Sequence, residues 1–254
     1  MIYKSTLFCF VYFTFASVFA QDNATFSPGE KLSYRLSYGY FEPGIATVEL
    51  KPSVKTYYDR NTWHVVAKGY TLPMYDYFFK VRDTYETYID TETILPWEFI
   101  RNVDEGGYTI NQHYMFDQQL HRVTTEKNET HDVKPDIHDM ISGFYRLRTL
   151  DFKTAKVGQV FTIYIFVDGK TERIRIKYIG KENKTIDKGT FRCLKFRPVL
   201  AKNKIFEKEE DLNVWISDDQ NHIPILAEVN TWVGAIQVEL VGYSGLTNPV
   251  ALVK

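Results

Sequence analysis

Apolar and polar side chains alternate residue by residue along nearly the whole of this 254-residue chain. A period of two suits a strand with one face on a core, and little else. From Lys31 to Tyr40, Leu32, Tyr34, Leu36, Tyr38 and Tyr40 share one face, while Lys31, Ser33, Arg35 and Ser37 share the other. The pattern returns in Ile45 to Leu50, Thr62 to Gly69, Val81 to Ile89, Trp97 to Val103, Tyr108 to Phe116 and Leu120 to Glu126. It resumes in Thr190 to Pro198, Leu212 to Ser217, Pro224 to Val229 and Ala235 to Gly242. Turn residues separate these runs roughly every ten positions, the spacing of an antiparallel meander. Between Val160 and Ile179, Phe161, Ile163, Ile165 and Val167 lead into Asp168-Gly169, followed by Ile174, Ile176 and Tyr178 in alternation with Arg173, Arg175 and Lys177. An Asp-Gly pair between alternating runs predicts a two-residue hairpin, because both turn positions need positive φ.

One segment has a different period. After Pro135, Ile137, Met140, Ile141, Phe144 and Leu147 recur at helical spacing, with Asp136 and Asp139 early and Arg146 and Arg148 late. That charge order suits the helix dipole, so an amphipathic helix is expected near residues 136–148, with Gly143 as its weak point. The fold expected is mainly β: a large curved antiparallel sheet, half-barrel or sandwich-like, with that one principal helix. No Pro/Gly/Ser linker divides the chain, so residues 21–254 are read as a single domain.

The first twenty residues stand apart. Lys4 is their only charge, Leu7 to Phe19 is an apolar run, and Val18-Phe19-Ala20 places small residues where a signal peptidase reads. Residues 1–20 are therefore read as a signal peptide, with the mature chain beginning at Gln21. Cleavage removes Lys4 and changes the net charge from −1 to −2. Such a near-neutral chain offers no footprint for nucleic acid. Gln21 stands where a lipoprotein would need cysteine, so an exported chain without a lipid anchor is expected, periplasmic or secreted. The best later apolar stretch, Ile223 to Tyr243, is interrupted by Glu228 and Glu239, so no integral membrane segment is expected after cleavage.

Composition agrees with this reading. Hydrophobic residues make up 44% of the chain and aromatics 16%, enough for a large core. Cys9 leaves with the leader, and Cys193, the one cysteine left, reads as a buried structural thiol.

Chemical signatures are sparse. His138 and His131 lie near Asp136, Asp139 and Asp132, but without the spacing that converges metal ligands. Glu105-Gly106-Gly107-Tyr108 lacks the Lys-Ser/Thr of a phosphate-binding loop and reads as a turn. Asp218-Asp219 lies in a turn rich in Asp and Asn, and the charged stretch Lys202 to Asp211 reads as a solvated loop. Arg82-Asp83 places a charge pair inside a strand. No metal, cofactor or catalytic residue is called for.

Taken in order, five segments resemble an exported bacterial family, the domain of unknown function 3108. They are Phe26-Ser-Pro-Gly-Glu-Lys-Leu-Ser-Tyr34, Phe79-Lys-Val-Arg-Asp83, Glu105-Gly-Gly-Tyr108, Asp139-Met-Ile-Ser-Gly-Phe-Tyr-Arg-Leu-Arg148 and Val214-Trp-Ile-Ser-Asp-Asp219. The resemblance implies an envelope-associated protein and carries no catalytic residues with it. It also implies a loose fold likeness to the half-barrel sheets of lipoprotein carriers.

Three readings of function follow. The first is a carrier or binding module whose helix–sheet groove takes a lipidic or other apolar small molecule, with Arg82, Tyr145 and Arg148 at the site. The second is a structural or interaction protein of the envelope with a filled core. The third is a hydrolase using Glu105, Asp218 and Asp219.

Overall fold

The computed structural model describes residues 25–199, 212–231 and 234–253. The leader, its cleavage point before Gln21 and the charged stretch 202–211 lie outside these residues. Within them the alternation becomes strands: β1 (Lys31–Tyr38), β2 (Phe41–Tyr57), β3 (Arg60–Thr71), β4 (Arg82–Asp90), β5 (Pro96–Glu105), β6 (Tyr108–Asp117), β7 (Arg122–Thr124) and β8 (Thr130–Asp132). A helix follows, α1 (Met140–Arg148). Then come β9 (Val160–Val167), β10 (Lys170–Ile186), β11 (Gly189–Pro198), β12 (Leu212–Ser217), β13 (Pro224–Thr231) and β14 (Gly234–Ser244).

The strands form one 14-stranded antiparallel sheet in the order β8-β7-β6-β5-β4-β3-β2-β1-β14-β13-β12-β11-β10-β9. Two meanders, β1 to β8 and β9 to β14, are thus joined where the first strand pairs with the last, Lys31 opposite Ser244 and Tyr38 opposite Ile236. At the expected hairpin Val167 pairs with Lys170, and Asp168 and Gly169 have φ of 49° and 76°, both positive as the turn requires. Gly106 and Gly107 likewise form a hairpin turn, since Glu105 pairs with Tyr108 across them.

Helix α1 shows that the sheet curls. It packs on both β4 and β9, which stand nine places apart in the sheet order. One short helix reaches both only if the sheet wraps around it as a half-barrel. Just before the helix, His138 bridges Ile165 of β9 in parallel. Its N–H donates to the Tyr164 carbonyl (3.0 Å), and its own carbonyl accepts from Phe166 N–H (2.7 Å). This short bridge satisfies backbone groups on an edge strand that would otherwise be open.

The helix begins later than the sequence pattern suggests, at Met140 rather than 136. Asp139 is its N-cap: Oδ1 accepts from the N–H groups of Ile141 (2.7 Å) and Ser142 (2.9 Å), while Ser142 Oγ accepts from Asp139 N–H. This reciprocal capping box outcompetes Pro135 as the start, and residues 137–138 serve the bridge to β9 instead. The buried face also differs from the apolar stripe. Ser142, Gly143, Tyr145 and Arg148 are buried, while Met140 is 38% exposed. Gly143 has a packing reason: a Cβ there would lie 3.1 Å from Ile163 Cδ1 and Ile165 Cγ2 of β9.

The core lies between the helix and the concave face of the sheet. Phe144 contacts a cluster around Leu32, Tyr34, Trp215 and Leu240, and Tyr145 joins Phe26, Leu50, Val65 and Ile89. Ile141 packs against Phe99, Tyr114, Phe116 and Phe166. Cys193 is buried in this core, and burial pushes its thiol up to about 12, so it is inert as a nucleophile.

Candidate functional site

At the C-terminal end of α1, a charged pair lies in the interior. Arg148 Nη1 and Nη2 donate to Glu30 Oε1 and Oε2, both at 2.7 Å, and neither side chain is more than 3% exposed. Arg148 Nε and Nη2 also donate to the Asn221 carbonyl, at 3.1 and 3.0 Å. The Tyr145 hydroxyl donates to Glu30 Oε1 at 3.3 Å. Burial lowers the affinity of Arg148 for its proton, but the Glu30 contacts outweigh that and hold its pKa above the ordinary value. The sequence places both charges there by phase. Glu30 continues the inward series of Leu32 and Tyr34, and Arg148 follows Ile141 and Tyr145 at helical spacing.

Around this pair, the β12–β13 turn and the C-terminal segment are tied together. Asn221 Nδ2 donates to the Asn248 carbonyl (2.9 Å), and Asp219 accepts from Ala251 N–H (2.7 Å) and Ser217 Oγ (3.0 Å). His222 Nδ1 donates to the Arg148 carbonyl at 2.7 Å, and its ring meets Phe152 edge-on at 5.0 Å.

Beside the network is a cavity of about 260 Å³. Phe144 and Leu147 of α1 and Phe152 form one wall, and Ile176, Phe196, Val214 and Ile216 of the sheet form the other. Arg148 and His222 also border it but add almost no polar surface, because their nitrogens are turned to Glu30, Asn221 and the Arg148 carbonyl. The wall of the space is apolar and offers no partner to a charge.

A family model described as a protein of unknown function, DUF3108, matches residues 33–241. The chain belongs to the DUF3108 family. No curated protein matches it in sequence. Among solved structures, a β-barrel-like protein of domain of unknown function DUF1849 from Brucella abortus is 10% identical and superposes with a TM-score of 0.53, over 85% of this chain and 97% of its own. A protein with a YmcC-like fold from Bacteroides fragilis, described as exported, is 12% identical over 86% of this chain and 97% of its own, with a TM-score of 0.33. The Brucella likeness is one of fold.

In this DUF3108 chain the residues singled out from sequence are dispersed. Tyr145 and Arg148 meet at Glu30. Arg82 lies elsewhere, at the start of β4, where it donates to Asp76 Oδ1 and Oδ2 (3.1 and 2.5 Å). The carboxylate partners of the two arginines are therefore Glu30 for Arg148 and Asp76 for Arg82. Glu105 ends β5, seven places along the sheet from β12, the strand before Asp218 and Asp219. Asp218 is bound by Lys181 Nζ at 2.8 Å, and Asp219 organises its own turn. These three carboxylates share no partner, so the geometry gives the hydrolase reading no assembled site. His138 is buried, and among the described residues no group of three or more His, Cys, Asp and Glu is arranged to hold a metal ion. No helix among the described residues is long and apolar enough to cross a membrane. Sequence reasoning missed Glu30, Asn221 and His222. The inward phase of Glu30 was the one available signal.

Proposed function

We propose that this DUF3108 chain is an exported binding or carrier module that holds an apolar small molecule, or one apolar segment of a larger one, in the cavity between α1 and β10–β13. The observation that carries the reading is the cavity's volume together with its uniformly apolar wall. About 150 Å³ of dry, apolar space suffices for a single benzene-sized ring, whereas drug-sized ligands occupy roughly 300 Å³ or more. At about 260 Å³ the space suits one ring or a short stretch of acyl chain. Arg148 is here a wall and not a head-group clamp, since its donors are spent on Glu30 and Asn221. Export rests on the leader read in residues 1–20, and N-terminal sequencing of the mature protein should begin at Gln21.

The test is titration with N-phenyl-1-naphthylamine, an uncharged aromatic probe that fluoresces in apolar surroundings. Saturable enhancement is expected for the wild type. It should be lost in Val214→Phe, which places a ring in the cavity, with circular dichroism unchanged. An unsaturable signal, or equal binding by a folded Val214→Phe, would overturn the reading.

A further inference from the structure

The concave face has a second depression, remote from the α1 cavity in both lining and chemistry. It lies at the end of the sheet where β1 to β5 meet the loop of residues 72–80, and it encloses about 500 Å³. Its floor exists because two strand positions lack side chains. Gly44 of β2 and Gly69 of β3 share the inward phase of Ala46 and Ala67, and the register pairs Gly44 with Thr71 and Ala46 with Gly69. Glycine inside a strand weakens it, and its usual reason is close approach of something else. A Cβ at Gly69 would meet only Asp83 Cβ, at 3.9 Å, so packing does not require the glycine there.

The wall opposite is aromatic and pinned. Tyr75, Phe78 and Phe79 line the groove from the 72–80 loop, which is held by Leu72 N–H donating to the Pro43 carbonyl (2.8 Å) and Gly106 N–H donating to the Lys80 carbonyl (2.8 Å). Phe79 lies so close to Gly106 that a Cβ there would sit 2.6 Å from its ring. In the same loop, Met74, Tyr77 and the groove-lining Phe78 are 71%, 91% and 81% exposed, an uncommon cost for large apolar side chains with nothing to cover.

The groove ends in two carboxyl groups, Asp83 and Glu105, near enough for the charge of Glu105 to act on Asp83. Burial and the adjacent Glu105 push the Asp83 carboxyl up, while Asp104 N–H, at 3.2 Å, opposes this. Of the nearby cations, Arg82 is engaged by Asp76, while Arg101 is bonded to Asp168 (3.1 Å) and Gln112 (3.3 Å) and its charge also acts on Asp83, opposing the rise.

We infer that this groove binds an organic cation with an apolar body, its ammonium group facing Asp83 and Glu105 and its body lying over the glycine floor against Tyr75, Phe78 and Phe79. The charge of the groove selects the occupant. An anionic amphiphile would meet the like charge of the carboxyl pair, and a neutral one would gain nothing from it, whereas a cation gains both the carboxylates and the faces of the rings. The inference is independent of the α1 cavity, whose wall has no charge to offer.

Isothermal titration calorimetry with octyltrimethylammonium, octyl sulfate and octyl glucoside, each below its micelle-forming concentration, tests it. Saturable binding is expected for the ammonium alone. Asp83→Asn/Glu105→Gln should weaken it about tenfold or more, the scale of lost charge-assisted contacts. Gly69→Val, which fills the floor, should abolish it, and Val214→Phe in the other cavity should leave it unchanged. The inference fails if the ammonium does not saturate, if octyl sulfate binds equally well, or if either groove variant, folded by circular dichroism, keeps wild-type affinity. Should Gly69→Val not fold, the double carboxamide variant decides alone.

Discussion

Arg148 and Glu30 are separated by 118 residues in sequence, yet each removes the other's need for water. A buried pair of this kind is held by geometry more than it stabilises the fold, because desolvating two ions offsets most of their attraction. Removing one partner is a different matter, since it strands the other charge in the core. Arg148→Met should therefore cost about 3–5 kcal/mol, while Glu30→Leu/Arg148→Met should recover most of that loss. Urea denaturation of both single variants and the double variant checks this, and additive costs would refute it. Ligand assays on Arg148→Ala alone would confuse folding with binding. His138 supplies a residue-scale test with pH. Burial, with a smaller contribution from Arg146, pushes its ring down to about 3. The unfolded chain takes up that proton near pH 6.5, so below this pH the unfolded state binds more protons and the folded state loses stability. The loss accumulates from pH 6.5 down to about 3, at up to about 1.4 kcal/mol per pH unit. His138 Nδ1 has no hydrogen-bond partner, so an apolar replacement sacrifices no bond from that atom. His138→Leu should lose less stability than wild type between pH 7 and 4.5, and parallel pH profiles would sink the assignment.

At the scale of elements, the strands were legible because each needs only its own alternation and its turn residues. Asp168-Gly169 needs nothing beyond two backbone angles, and it forms the turn read from it. Helix α1 was legible in existence and in part of its phase. Its apolar stripe turned Met140, Phe144 and Leu147 toward the sheet, and Phe144 and Leu147 do line the core and cavity, but Met140 is exposed and Arg148 takes the interior because Glu30 waits there, a fact held by another element. A groove between helix and sheet was expected, but the size and lining of the cavities were illegible for a related reason: they are volumes left between elements, and no local pattern encodes them. Gly143 was read as a weakness from helix propensity alone, where Ala gains about 1 kcal/mol. Against β9, however, an added methyl meets two isoleucine side chains at 3.1 Å. Overpacking costs roughly 1–3 kcal/mol, so Gly143→Ala should be neutral to destabilising by about 2 kcal/mol despite its better propensity. A rise in melting temperature would show that the helix has room to move off the strand.

For the whole molecule, the decisive contact is the pairing of β1 with β14. It joins the two ends of the described sheet at its centre, leaving β8 and β9, the strands flanking the helix segment in sequence, at its edges. Neither meander is complete alone. The first would expose the inner face of β1 and the second that of β14, and the core cluster of Leu32, Tyr34, Trp215 and Leu240 spans both. Because the chain must bring its ends together before this cluster forms, folding should be slow for its size and cooperative throughout. The tryptophans allow a direct test, since Trp63 and Trp97 report on the first meander and Trp215 on the second. Urea unfolding followed by fluorescence of Trp215→Phe/Trp232→Phe, which retains only the reporters of the first meander, should coincide with its far-ultraviolet circular dichroism. The same coincidence is expected for Trp63→Phe/Trp97→Phe, whose signal comes from the second. Transitions that separate between the two reporters would mean that each meander folds on its own, and the seam between β1 and β14 would then be a contact between two domains.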